Sequence, residues 1–299
     1  MLRREMVPRK TPLKSLLGLC AFAVFAAGCG GGGSGGNGGG GGGPAPTGSD
    51  VIYFSSGRTD GENRKFFAMS EDGSSPRQVP SLSTWNAGLS EGISKNSNGT
   101  VVCFFLNSNT SAFTQAIVVR LSDGAKLFDT TYEDLSVQQV VTANSSGSTI
   151  AYAGPLQTGD QNAIYTLKPD GSGKTKLWTA PVGAIFGQIR YLPDDSKLYF
   201  LMKQPGNTKQ SLYTLKPGDP APALIPTPDA PLQSVAASSD GKLFGLVAFT
   251  SGGFKPGDVS TIVPYEMNRD GSGLETGTSI TTDDGGYLDL SAVSFSDGM

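Results

Sequence analysis

The chain repeats itself at a spacing close to fifty residues, and few folds accommodate such a period. Runs of apolar, β-branched and aromatic residues occur at Val51-Ile52-Tyr53-Phe54, Val101-Val102-Cys103-Phe104-Phe105, Ile150-Ala151-Tyr152, Leu198-Tyr199-Phe200-Leu201 and Leu243-Phe244-Gly245-Leu246. Turn dipeptides precede all but the first: Asn98-Gly99, Ser146-Gly147, Asp194-Asp195 and Asp240-Gly241. Gly, Asn and Asp tolerate positive φ, so such dipeptides between strand-like runs read as tight hairpins. A second strand and turn follow in each unit, as "KFFAMSEDG", "AIVVRLSDG", "AIYTLKPDG", "SLYTLKPGD" and "VPYEMNRDG". Phe67, Val118, Tyr165, Tyr213 and Tyr265 hold equivalent places, and two residues on stand Met69, Arg120, Leu167, Leu215 and Met267. Apolar residues at every second position predict one buried face per strand, and only Arg120 breaks the pattern. A short fourth strand comes next, as in Arg77-Gln78-Val79 and Lys176-Leu177-Trp178.

Four strands per unit at this period predict an all-β fold, a β-propeller of four-stranded antiparallel blades. No segment sustains a 3.6-residue apolar period, so helices are expected to be few. Full blades are expected to start near Leu89, Gln138, Gln188 and Gln233. The first unit begins at its second strand, and "YLDLSAVSFSDGM" at the C-terminus resembles the missing first one. The two ends together would form a composite blade, giving five blades and hiding an exposed edge. Six blades is the alternative, and it needs a further repeat.

These repeats resemble the PD40, or WD40-like, repeats of the TolB family. The resemblance covers residues 50–299 and is plainest in "DVIYFSSGR…FFAMSEDGSSPRQVPS", "YLPDDSKLYFL…SLYTLKP" and "SVAASSDGKLFGL". It implies a propeller and says little of function. The small α/β domain that precedes the propeller in TolB has no counterpart here, so that family's partner is not carried over.

The first fifty residues have a different logic. Residues 1–14 carry Arg3, Arg4, Arg9, Lys10 and Lys14 against Glu5, and "SLLGLCAFAVFAA" follows. A basic stretch, a short apolar run and small residues predict a secretory signal peptide over residues 1–28. The apolar run falls short of the about 20 residues a membrane span needs. Ala26-Ala27-Gly28-Cys29 resembles the bacterial lipobox. That resemblance implies cleavage before Cys29 and lipid on its thiol and amino group, several acyl chains that hold a protein stably on a bilayer. An ordinary signal peptide with a chance cysteine is the alternative. Residues 29–49 are glycine-rich, a flexible tether whose twenty residues reach about 25 Å on average. Gly30 stands where aspartate would signal inner-membrane retention, which favours the outer membrane in a cell that has one. The expected organisation is thus signal peptide 1–28, lipidated cysteine and tether 29–49, and propeller 50–299.

Composition narrows the chemistry. The chain has no histidine, which removes Ser-His-Asp and Cys-His catalysis and histidine metal sites. Of three cysteines, Cys20 leaves with the signal and Cys29 would carry lipid. Cys103 is then alone, a buried core residue with no disulfide partner. Residues 1–28 hold five of the 23 basic and one of the 26 acidic residues, so the mature chain carries a net charge near −7. No basic patch stands out, which argues against nucleic acid as a partner.

"KPDGSGKTKLW" ends like a phosphate loop at Gly173-Lys174-Thr175. The glycine that motif requires five positions earlier is Lys168, and a β-prone run follows where a helix is needed. The stretch therefore reads as a hairpin turn, and Lys174→Ala is expected to change stability by no more than about 0.5 kcal/mol. "NRDGSG", with Asn268, Asp270, Ser272 and Gly273, resembles half an EF-hand loop, but Ser279 stands where the bidentate glutamate belongs. No catalytic, cofactor or metal residue is assigned.

Paired carboxylates for glycoside hydrolysis remain the alternative. They need separations of about 5.5 Å or about 6.5–9.5 Å, and Glu91, Asp289, Asp194 and Asp195 are the candidates. The sequence thus favours a lipid-anchored envelope propeller that binds a protein or polysaccharide without cofactor. A channel lined by Ser, Thr and Gly would favour that reading, and clustered channel carboxylates the hydrolase.

Overall fold

A computed structural model describes residues 51–56, 65–70, 76–79, 89–107, 114–132, 140–157, 159–227, 232–238, 240–251 and 259–282. Among these residues five antiparallel sheets succeed one another. The first has three strands, β1 (Val51–Ser56), β2 (Lys65–Ser70) and β3 (Arg77–Gln78). The second comprises β4 (Leu89–Lys95), β5 (Val101–Asn107), β6 (Thr114–Arg120) and β7 (Lys126–Tyr132). The third has β8 (Val141–Ala143), β9 (Ile150–Ala153), β10 (Ala163–Leu167) and β11 (Thr175–Thr179). The fourth has β12 (Ile185–Tyr191), β13 (Leu198–Lys203), β14 (Gln210–Leu215) and β15 (Ala223–Ile225). The last has β16 (Leu232–Ala237), β17 (Lys242–Ser251), β18 (Val259–Asn268) and β19 (Glu275–Thr276), with β20 (Ile280–Thr282) also on β18. No helix occurs among the described residues.

Strands β1 to β19 pair in chain order within their sheets, as the hairpin turns dictate. β8 packs beside both β4 and β12, so the first strand of each four-stranded sheet is innermost and the sheets stand as blades around an axis. The blade starts fall within three residues of those expected. Two features were not anticipated. β20 adds a fifth strand to the last sheet. The innermost strands also bulge at one common place, at Glu91, Gly187 and Gln233, where the register with the second strand shifts. A bulge bends and twists its strand, which suits strands turning around an axis.

The positions expected to face the core pair as one rung in every sheet, but burial is not confined to one face. Ala116, Ile117, Val118 and Val119 are all 0 % exposed, and on β2 Phe66 and Ala68 are buried while Phe67 and Met69 are only partly so, because sheets pack on their neighbours through both faces. Phe67 pairs with Phe54, Val118 with Cys103, Tyr165 with Tyr152, Tyr213 with Phe200, and Tyr265 with Gly245. Stacked rings make this rung in two blades, with centroids 5.2 Å apart for Tyr152–Tyr165 and 5.6 Å for Phe200–Tyr213. Phe128 of the preceding blade stacks on Tyr152 at 5.8 Å, so the core runs between blades as well as within them. In the last blade Gly245 leaves the space that the Tyr265 ring fills. Arg120 departs from the apolar pattern because it ends its strand and turns outward to pair with Asp123 at 2.8 Å.

Candidate functional site

Counting back from the first turn of each blade, Ser94, Thr142, Arg190 and Ala236 share one position on the innermost strands β4, β8, β12 and β16. All four are buried, none more than 7 % exposed. Three of the four are small side chains. Arg190 is not, and sequence reasoning missed it. Its signal was a lone charge inside the otherwise apolar and neutral "IFGQIRYL".

Arg190 Nη1 donates to the Ile189 carbonyl at 3.0 Å. Its charge acts on Tyr199 of β13 and on Cys103 of β5. Burial lowers the pKa of Arg190 below its ordinary value. Burial likewise pushes the Cys103 thiol and the Tyr199 phenol up to about 12 each, although Arg190 opposes both shifts. Cys103 is therefore a neutral, inert thiol, as its place in "TVVCFFL" implied. Gln188 bridges to the next inner strand, donating to Val235 O at 2.9 Å and accepting from Val235 N at 3.0 Å. These side chains tie the blades together.

In the second to fifth sheets the turns joining the first two strands meet at one end of the axis. Asn96 Nδ2 donates to Asn144 O at 3.0 Å and to Ser145 O at 2.8 Å in the next blade. Ser145 donates in turn to Asp195, from N at 2.8 Å and from Oγ at 2.5 Å. Arg269 continues the chain, donating to Asp194 at 3.1 Å and to Ser238 O at 2.9 Å. Ser97 Oγ spans two blades to Pro193 O at 3.5 Å. At the turn position where the other blades have Gly99, Gly147 and Gly241, this one has Asp195, with φ of 56°. Aspartate tolerates the left-handed region better than most residues, and here its carboxylate clasps the neighbouring blade.

Asp194 and Asp195 were candidates for acid–base work, and the structure engages both in this clasp. The Ser196 hydroxyl, helped by Arg269, holds the Asp194 carboxyl below its ordinary pKa. A general acid needs the opposite shift. Glu91 lies at the β4 bulge, its side chain outside the described set, and Asp289 and Cys29 lie outside the described residues.

Asp170-Gly171 and Asp270-Gly271 sit in hairpin turns, as expected. Lys168 N donates to Ser172 O and Ser172 N to Asp170 Oδ1, each at 2.9 Å. Asn268 N and Ser272 N repeat both bonds at 2.9 Å in "NRDGSG", where Asn268 Nδ2 also binds Ser272 Oγ. One expectation fails. Lys174 is not a free surface lysine: its ammonium pairs with Asp160, whose side chain is only 3 % exposed. It also donates to Gln157 Oε1 at 2.9 Å and lies 4.9 Å from the centre of the Tyr165 ring. The loop from Gly154 to Asn162 carries Asp160 to this place, a contact invisible in the hairpin alone. Tyr152 Oη and Gln157 N donate to the same carboxylate at 2.8 and 3.0 Å. Lys174→Ala strands a buried carboxylate without its cation, a loss of about 1–3 kcal/mol. Thermal unfolding should show a drop of several degrees, and an unchanged melting curve would mean the pair contributes nothing.

No family model and no curated protein matches the sequence. Solved structures do. A protein assigned as TolB from Agrobacterium tumefaciens is 14% identical, with a TM-score of 0.50 over 76% of this chain and 80% of that one. TolB from Acinetobacter baumannii is 11% identical, with a TM-score of 0.49 over 78% of this chain. The chain spans 64% of that TolB's length. An oligogalacturonate lyase in complex with manganese is 13% identical, with a TM-score of 0.45 over 76% of this chain and 73% of that one. The blades, the absence of helices among the described residues and the first of these likenesses make the chain a β-propeller of TolB-like fold.

Proposed function

We propose that the chain is a lipid-anchored β-propeller of the bacterial cell envelope, binding a protein or an envelope polymer without chemical turnover. The axis supports this reading most. The inner-strand positions there hold Ser94, Thr142, Arg190 and Ala236, and the turn carboxylates Asp194 and Asp195 lock blades together. Residues engaged in this way hold the ring together and leave recognition to the outer surfaces. The anchor rests on Cys29 in "AAGC" and on the glycine-rich tether. Gly30 after it favours the outer membrane where the cell has one. In this reading five blades close through a composite of the two chain ends.

Two measurements test the proposal. Cys29→Ser should abolish metabolic labelling by a fatty-acid analogue and release the protein from membranes, and equal labelling of variant and wild type would refute the anchor. Crosslinking in intact cells should trap an envelope component on the anchored protein. Hydrolysis of an envelope glycan, lost in Glu91→Gln, would replace the binding reading with the hydrolase.

A further inference from the structure

We propose that the outer corner of the β8–β11 blade binds an acidic sugar, with the Lys174 and Lys176 ammonium groups facing its carboxylate. The inference deepens the binding-protein reading and rests on it. An open cavity of about 410 Å³ lies there, lined by Gly159, Asp160, Gln161, Tyr165, Lys174 and Lys176. That volume falls within the about 300–1,000 Å³ typical of small-molecule sites.

The strands aim the two lysines. Register between β10 and β11 shifts at Ile164/Tyr165, so that Trp178 opposes Ile164 while Lys176 opposes Tyr165. This extra residue on β11 sets Lys176 beside Tyr165, and Lys174, two residues earlier, points to the same side. Side-chain amides then hold both ammoniums in place. Lys176 Nζ donates to Gln161 Oε1 at 2.9 Å, and Lys174 Nζ to Gln157 Oε1 at 2.9 Å. An ammonium has three N–H donors, so these bonds orient each lysine without exhausting it.

Charge sets the ligand class. Asp160 pairs with Lys174, which leaves the corner one net positive charge from Lys176. One carboxylate matches that charge. The other lining groups suit hydroxyls. Tyr165 Oη accepts from Gln161 N at 2.9 Å and keeps its own proton to donate. Nothing lies within 4 Å of where a Cβ on Gly159 would sit, so the floor is open there. A sugar ring bearing one carboxylate meets each of these features.

The test uses the full chain with three probes: glucuronate, glucose and inorganic phosphate, followed by NMR titration. A charge-assisted hydrogen bond is worth about tenfold in affinity. Glucuronate should therefore bind about tenfold more tightly than glucose. Lys176→Gln should weaken glucuronate about tenfold while leaving thermal unfolding unchanged, and added salt should weaken it too. Glucuronate binding untouched by Lys176→Gln, or phosphate bound at least as tightly as glucuronate, would overturn the assignment. If no probe binds but crosslinking still traps an envelope component, this site falls and the binding-protein reading stands.

Discussion

Gly245→Ala should lower the melting temperature of the propeller by roughly 5–10 °C. A Cβ built on Gly245 would fall far inside contact distance of Cζ and Oη of Tyr265. Tyr265 cannot easily step aside. It is 1 % exposed and packs with Leu212, Ile225, Val235 and Met267. Its hydroxyl is buried, which raises its pKa above the ordinary value, and has no hydrogen-bond partner among the described residues. Moving the ring means moving its neighbours, and overpacking of that kind costs about 1–3 kcal/mol. The double variant Gly245→Ala/Tyr265→Leu separates causes. If the clash dominates, the pair should be less destabilised than the two single losses added together. Additive losses, or a Gly245→Ala melting curve like the wild type's, would show that the Tyr265 ring has room to move.

The same rung shows what was legible in the sequence. Tyr165, Tyr213 and Tyr265 could be aligned by counting back from Asp-Gly or Gly-Asp turns, because strand alternation and turn chemistry are local. Local rules also yielded the strand order and, within three residues, the blade starts. What local rules lack is the identity of the neighbour in the next blade. Asp160 and Lys174 are fourteen residues apart and meet only because β10 and β11 fold back beside the loop that carries Asp160. Ser145 and Asp195 are fifty residues apart, which is one blade, and the Asp195 side chain gave no sign that it would replace a glycine in order to clasp. Arg190 was visible as an odd charge, yet that its charge acts on Cys103 two blades away could not be read locally. Fold was thus written in periodicity, while the candidate sites come from contacts between residues far apart in the chain.

Deleting residues 286–299 should have the largest effect, with aggregation or a collapse of thermal stability. In each four-stranded blade the second strand has the first on its inner side. β13, for example, is flanked by β12 and β14 along its whole length. β1 takes the place of such a second strand: it pairs with β2, as β5 does with β6, and packs beside β4 of the next blade. Among the described residues nothing pairs with its other edge. The proposed partner is the segment from Leu288 to Phe295, whose Leu288, Leu290 and Ala292 alternate as an inner strand requires. Removing it would expose a strand edge, and edges of this kind pair with other chains. Loss of one strand's burial should cost several kcal/mol out of a typical total of about 5–15 kcal/mol. The truncated protein should therefore melt well below the intact one or elute as aggregate. A monomeric elution profile with unchanged melting would refute closure by this strand, and the count of five blades with it.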